Sequence, residues 1–315
     1  MYGESVKKGF MVGLKTTWTL GKVIFPVTLI VTILQYTPIL PWVIDLISPF
    51  MALLGLSGDA AIPLVLGNFL NLYAGIAGIL TLDLTVKEVF IIAVMLSFSH
   101  NLLIETGVAM KVGVKLWVIL TVRLGLAFLA AVMINLLWDG GSEMAQYGFV
   151  SQQTAEITGV WAIVSHGIVK ALLGIVQLAL IVIPLMIIIQ IMKDKKWLEA
   201  FSRMLGPVMK VLGMKENAAL PFATGLTIGL AYGAGVMIQA VKEEGVSKKD
   251  MTLAFIFLVA CHAVVEDTLI FIPLGIPVLP LLIIRLVTAI VLTIAVGYIW
   301  NRYESVQRKG AVYEQ

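Results

Sequence analysis

Apolar side chains run through this chain in long blocks, broken by glycine and by isolated polar groups. Lys22–Tyr36, Leu116–Trp138, Gly174–Met192 and Val278–Trp300 carry few or no charges, and the longer ones approach the ~20 residues that a helix needs to cross a bilayer. Backbone groups in lipid must be satisfied within the protein, so these blocks predict helices rather than open sheet. First spans are expected near Thr16–Tyr36 and Leu172–Met192, and final spans over Lys115–Trp138 and Val278–Trp300. Ile39–Gly55 and Trp197–Gly213 are shorter and amphipathic. In the second, Trp197, Phe201, Met204, Leu205, Val208 and Leu212 recur at helical spacing while Glu199, Arg203 and Lys210 take other positions. That pattern suits a helix lying in the membrane interface. Gly-interrupted apolar segments follow, Ala60–Leu80 and Ala218–Ala240, and then polar-centred helices over Thr85–Thr106 and Ser247–Thr268. Thr85 with Glu88, and Ser247 with Asp250, have capping-box spacing and mark where those helices start.

The order of elements occurs twice, and so do particular residues. At a shift of 158, Pro26, Pro49, Met51, Gly55, Pro63, Gly67 and Gly75 meet Pro184, Pro207, Met209, Gly213, Pro221, Gly225 and Gly233. After a four-residue insertion the shift becomes 162, and Lys87, His100, Thr106, Gly113, Arg123 and Trp138 meet Lys249, His262, Thr268, Gly275, Arg285 and Trp300. Apolar segments align with one another by chance, but matched Pro, Gly, His, Arg and Trp do not come so cheaply. The expected organisation is a first repeat over 1–140, a linker over 141–158 and a second repeat over 159–315.

Composition fits a membrane protein: 60% of residues are hydrophobic and 13% charged, against about 25% charged in soluble domains. The single cysteine, Cys261, excludes an intramolecular disulfide framework and a Cys-cluster metal site. Met1–Lys22 is basic but has no small-residue cleavage site, so no removable signal peptide is expected.

Charge placement predicts orientation, since Lys and Arg mark the cytoplasmic side. Lys7, Lys8, Lys15 and Lys22 put the N-terminal end inside, as Lys193, Lys195, Lys196, Arg203, Lys210 and Lys215 do for the middle loop and Arg302, Arg308 and Lys309 for the C-terminal end. The linker has no Lys or Arg and is expected outside the cytoplasm. Each half must then cross an odd number of times, yet offers four apolar segments. The Gly-interrupted segment is the one expected to enter and return on the same side, broken at Asn68 and Asn71 or at Thr224 and Thr227. Gly67 and Gly225 could alternatively serve close helix packing alone. The hairpin reading makes the chain an all-α integral membrane protein of two inverted-topology repeats. Each repeat has about three transmembrane helices, one re-entrant hairpin and an interfacial amphipathic helix, an architecture that places sites at the repeat interface.

Ionisable groups inside a span are costly and point to function. His100, Asn101, Glu105 and Thr106 lie in one polar-centred helix, and His262, Glu266, Asp267 and Thr268 in the other. Arg123 and Arg285 sit inside the final spans, with Glu105 and Asp267 as expected charge partners. These pairs either lock helices together or join a site. His262 and Glu266, four apart, would share a helical face and are the candidate metal contact; His100 and Glu105, five apart, would not.

The segment Gly55–Gly67, repeated at Gly213–Gly225 and followed by a His-centred helix, resembles the nucleoside-recognition or Gate domain. That domain occurs in concentrative nucleoside transporters, the membrane part of the bacterial ferrous-iron transporter and the spore maturation membrane proteins. The resemblance implies that the hairpin tips (Asn68, Asn71, Thr224, Thr227) and the two His-centred segments line a substrate path. No GxxxxGK[ST] motif accompanies it, so the iron transporter's GTPase domain is missing. The expected function is a secondary, elevator-type transporter in the plasma (inner) membrane carrying a small polar solute such as a nucleoside. The alternatives are a divalent metal transporter or a non-transporting assembly factor of the spore-maturation type. A metal-dependent hydrolase is disfavoured, because the sequence has no HExxH-like pair. No cofactor is expected beyond a coupling ion, H+ or Na+. The expected partners are the solute, membrane lipid and further copies of the chain, with no nucleic acid polymer.

The charge pattern makes a direct prediction. In a Cys261→Ser background, a cysteine at Ser142 should react with an impermeant maleimide added outside intact cells. Protection of that position, with labelling of both chain ends from outside, would invert the topology.

Overall fold

The computed structural model describes residues 2–147 and 159–313, so residues 148–158 of the expected linker lie outside the described residues. Among the described residues no strand forms; one isolated bridge joins Thr85 and Met144. The first half consists of α1 (Tyr2–Gln35), α2 (Ile39–Leu53), α3 (Ala61–Phe69), α4 (Leu72–Ile79), α5 (Val86–Ser99), α6 (Leu102–Lys111) and α7 (Leu116–Leu137). The second consists of α8 (Val160–Asp194), α9 (Trp197–Val211), α10 (Ala219–Ile228), α11 (Leu230–Lys242), α12 (Lys248–Ala260), α13 (Glu266–Leu269) and α14 (Val278–Tyr313). Among the described residues, five stretches are long and apolar enough to cross a membrane: Gly3–Gln35, Val86–Lys111, Leu116–Leu137, Val160–Asp194 and Val278–Tyr303. The protein is an all-helical, multi-pass membrane protein.

Two expectations need correction. The first spans do not start near Thr16 and Leu172, because α1 and α8 are continuous helices that begin at Tyr2 and Val160. Nor are the polar-centred helices continuous. The first breaks at His100–Asn101, between α5 and α6, and the second between Ala260 and Glu266. That break leaves the second copy without a helix of spanning length.

The chain folds into two compact units, each drawing on both halves of the sequence. The first comprises Met1–Leu103, Leu124–Lys195 and Val265–Leu282; the second comprises Ile104–Arg123, Lys196–Val264 and Ile283–Gln315.

In the first unit α1 and α8 pack antiparallel through glycine. A Cβ on Gly9 would fall 2.5 Å from Ile187 Cα, and one on Gly13 would fall 2.8 Å from Ile183 Cα. Further along, Gly167 of α8 meets Leu29 of α1, where a Cβ would fall 2.9 Å from Leu29 Cδ1. Lipid gives apolar helices no hydrophobic reason to associate, so close backbone approach through small residues supplies dispersion contact instead. The helices α3 and α4 form a tight hairpin, with Gly75 against Gly67 and Pro63 and Gly78 against Pro63. The start of α5 is fixed by the expected capping box: Thr85 Oγ1 accepts from Glu88 N (3.2 Å) and Glu88 Oε2 accepts from Thr85 N (2.9 Å). Glu88 Oε1 also accepts from Ser57 N (2.9 Å), which latches the entrance of the hairpin onto α5. Residues 141–145 run beside this turn, Glu143 and Gly141 accepting from Val86 N and Lys87 N.

The second unit repeats the latch. Asp250 Oδ1 accepts from Lys215 N (3.3 Å), and Ser247 Oγ accepts from Asp250 N (3.1 Å). The hairpin here is α10 and α11, with Gly233 against Thr224 and Gly225 against Met237. Asn217 Nδ2 donates to Glu244 O (3.4 Å), so the two ends of this hairpin meet. On α9, Trp197, Met204 and Val208 are exposed beside the exposed Arg203 and Lys210. In the first unit α2 exposes Trp42, Leu46, Phe50 and Leu53 in one stripe. Both faces are left for lipid.

If the Gly contacts hold α1 to α8, then Gly9→Ala and Gly13→Ala should each cost about 1–3 kcal/mol, as overpacking does. Thermal unfolding in detergent measures this against Gly125→Ala, where a Cβ would meet nothing within 4 Å. Equal midpoints in all three variants would remove the glycine packing argument.

Candidate functional site

The two helix breaks organise every polar residue singled out above, and each is described within its own unit. In the first unit α5 stops at Ser99 because His100 turns extended (ψ 158°) and Asn101 takes a left-handed conformation (φ +56°). The amide N–H freed there does not go unsatisfied: Asn101 N donates to Gly67 O (2.8 Å) at the tip of the α3–α4 hairpin. A Cβ at Gly67 would fall 2.5 Å from Leu96 Cδ2, so a larger residue there would have to displace the Leu96 side chain of α5. The imidazole of His100 is buried, and its Nδ1 sits 2.6 Å from Leu96 O. The tip residues make local bonds: Asn68 Nδ2 donates to Leu64 O (2.7 Å), and Asn71 Oδ1 caps α4 by accepting from Ala74 N (2.9 Å). From the second half of the chain the unit receives α13, where Glu266, Asp267 and Thr268 are all buried. The hydroxyl of Tyr73, just past the hairpin tip, donates to Glu266 Oε1.

The second unit carries the same construction. Beyond α12, Ala263 takes a left-handed conformation (φ +40°), its N–H donates to Gly225 O (3.0 Å), and Val264 N donates to Leu226 O (2.8 Å). Gly225 corresponds to Gly67 and Ala263 to Asn101 in the two registers of the repeat. A Cβ at Gly225 would fall 2.5 Å from Leu258 Cδ1. Thr224 and Thr227 at this tip donate to Leu220 O and Ala223 O, both 2.8 Å away, which leaves their hydroxyl lone pairs as acceptors.

The second unit holds both buried arginines and a further buried carboxylate. Arg123 Nη2 lies 2.9 Å from Glu105 Oε2, and both side chains are almost wholly buried. This is the pairing expected from the sequence. Arg285 donates through Nη2 to the carbonyl oxygen of His262 (2.7 Å), a backbone group exposed by the break. Glu105 has a second neighbour that spacing did not suggest, His262, whose Nε2 lies 3.2 Å from Oε1. The helical face that would have set His262 beside Glu266 does not form, because residues 261–265 are not helical. The metal contact expected of that pair loses its geometric basis. Thr106, the residue after Glu105, is also buried.

The His262–Glu105 contact has a chemical consequence. Nδ1 lies 2.7 Å from Leu258 O. A carbonyl oxygen only accepts, so the proton of a neutral ring sits on Nδ1. Nε2 is then a bare acceptor facing a carboxylate oxygen that also accepts. The approach becomes a hydrogen bond only when the pair holds one further proton, on the ring or on the carboxyl group.

Tyr73 is the functional candidate that sequence reasoning missed. Its signal was an aromatic hydroxyl two residues after a hairpin-tip asparagine, but its partner lies 193 positions away.

The sequence model of one family, described as Gate, nucleoside recognition, matches residues 17–115 and 175–289. The chain is 64% identical over 296 residues to the uncharacterized membrane protein YvoD of Bacillus subtilis (strain 168), covering 94% of this chain and 95% of that protein. No solved structure matches it.

Removing one partner of a buried ion pair strands the other. Arg123→Met should therefore cost about 3–5 kcal/mol, and Arg123→Met with Glu105→Gln should recover most of the loss. Thermal unfolding of the two variants measures this. A double variant no more stable than the single one would show that Arg123 does not owe its place to Glu105.

Proposed function

The chain belongs to the Gate, or nucleoside-recognition, family, and on that premise we propose that it is a secondary transporter of a small polar solute, a nucleoside or related metabolite, and not an enzyme. The observation that carries this reading is the clasp made twice over. A hairpin tip hydrogen-bonds the backbone of an interrupted helix beside buried ionisable side chains. Broken helices with polar groups at membrane depth are how transporter folds build midplane sites. Under this reading the candidate substrate contacts are Asn68, Asn71, His100, Asn101, Glu266, Asp267 and Thr268 in the first unit. In the second they are Thr224, Thr227, Glu105, Thr106 and His262, with Arg123 and Arg285 fixing the carboxylate and the opened backbone.

Inverted topology forms part of the proposal. The antiparallel α1–α8 pair supports it, because its contacts exchange under the repeat: Gly9 meets Ile187, and their counterparts Gly167 and Leu29 meet each other. The two segments matched by the family model also fall one in each half. Each hairpin then returns to the side it entered, α2 and α9 lie in the interface, the linker faces outward and both chain ends face the cytoplasm. Movement is of the elevator type, one hairpin-bearing body sliding against a scaffold. The coupling ion is H+, held by Glu105 and His262, whose contact needs a proton to close.

Reconstitution tests the proposal. Proteoliposomes given an inward proton gradient should take up a labelled nucleoside, and Arg123→Met with Glu105→Gln, the pair of changes expected to keep the fold, should reduce uptake at least tenfold. Uptake of divalent metal but of no nucleoside would replace the cargo. Absence of uptake across nucleosides, organic acids and metals would favour the assembly-factor reading.

A further inference from the structure

The second unit has one apolar cleft that the polar site does not use. It measures about 340 Å³ and opens between the first turns of α7, the first turns of α12 and the later part of α14. Val118, Ile256 and Val296 are among its lining residues, with Thr121 and Thr252, and Lys115, Lys248, Trp117 and Trp300 also border it. Lys115, Lys248 and Trp117 are exposed and Ile256 is buried, so the cleft grades from a basic mouth to an apolar interior.

Both lysines stand at helix starts. Lys115 directly precedes α7, and Lys248 is the first residue of α12. The first turn of a helix presents N–H groups and the positive end of its dipole, which adds to the lysine charge at the same place. Asp250, the carboxylate in the first turn of α12, is buried and already accepts from Ser247 Oγ and Lys215 N. The neighbouring Lys249 is engaged by Asn301. Two cationic side chains thus converge on a cleft whose walls are apolar.

The face beside this cleft looks outward and is apolar. On α14 Val287, Val291, Tyr298 and Ile299 are more than half exposed, and Trp117 is 64% exposed. Indoles settle at the level of lipid headgroups, and basic pockets between membrane helices take anionic headgroups. An occupant of the cleft must therefore carry a negative group at one end and hydrocarbon at the other.

We propose that this cleft binds one anionic phospholipid, its phosphate against Lys115 and Lys248 and an acyl chain along Val118, Ile256 and Val296. The site is independent of the transport reading, since it shares no residue with the polar cluster.

Native mass spectrometry of the full-length protein, released from micelles after incubation with phosphatidylglycerol or phosphatidylcholine, tests it. Wild type should retain one phosphatidylglycerol in preference to phosphatidylcholine. Lys115→Gln with Lys248→Gln should weaken retention about 25-fold, from about fivefold for each basic residue, and Lys115→Arg with Lys248→Arg should restore it. Val296→Trp, which fills the cleft and leaves the lysines in place, should also lower retention. Equal retention of the two lipids, or unchanged retention in the glutamine variant, would overturn the proposal. So would displacement of phosphatidylglycerol by an equal concentration of inorganic phosphate, which would make free phosphate the ligand.

Discussion

A backbone that stops being helical among membrane spans must find its hydrogen bonds inside the protein, because lipid offers none. That constraint governs the centre of each unit. Where α5 and α12 end, the freed amides of Asn101 and Ala263 reach the carbonyl oxygens of Gly67 and Gly225. The bonds need the hairpin tips to lie against the helices, and a Cβ at either glycine would press on the leucine side chain opposite it, Leu96 or Leu258. The latches at the hairpin entrances, Ser57 on Glu88 and Lys215 on Asp250, hold the other ends to the same helices. Each hairpin is thus tied at its mouth and at its tip to one helix, with apolar packing in between.

Breaking those helices also opens carbonyl groups and brings side chains from distant parts of the chain together. Arg285 occupies the carbonyl of His262, and the imidazole of that same residue turns to Glu105. Glu105 stands between a guanidinium that is always charged and a ring nitrogen that can bond it only through a shared proton. One residue at the break therefore engages an arginine through its backbone and a carboxylate through its side chain.

What was legible in the sequence follows from which interactions are local. The amphipathic segments α2 and α9 fall within two residues of their expected ends, because their apolar stripes and flanking glycines are local signals. The Arg123–Glu105 pair was legible because the cost of a buried charge demands a partner and few carboxylates are available. The breaks were not legible. His100, Asn101, Cys261 and Ala263 include no Gly or Pro, and the chain turns there because Gly67 and Gly225 reward it from elsewhere in each unit. The same reason hid His262–Glu105 and Tyr73–Glu266, whose partners come from opposite halves and leave no periodic trace. The helical spacing of His262 and Glu266 misled because it presumed a helix that tertiary bonds interrupt.

The glycine seam between α1 and α8 also bears on how the molecule is made. The second side is complete only at Asp194, 159 residues after α1 ends at Gln35 (194 − 35). At ~5–20 residues per second, α1 waits roughly 8–30 s at the ribosome for the helix that covers its glycines. Throughout that interval Gly9 and Gly13 leave a bare strip of helix backbone facing lipid or the insertion machinery. A nascent chain released before α8 is threaded would present that strip to any other membrane helix with small residues. The seam that closes the finished protein is, during synthesis, its most adhesive surface.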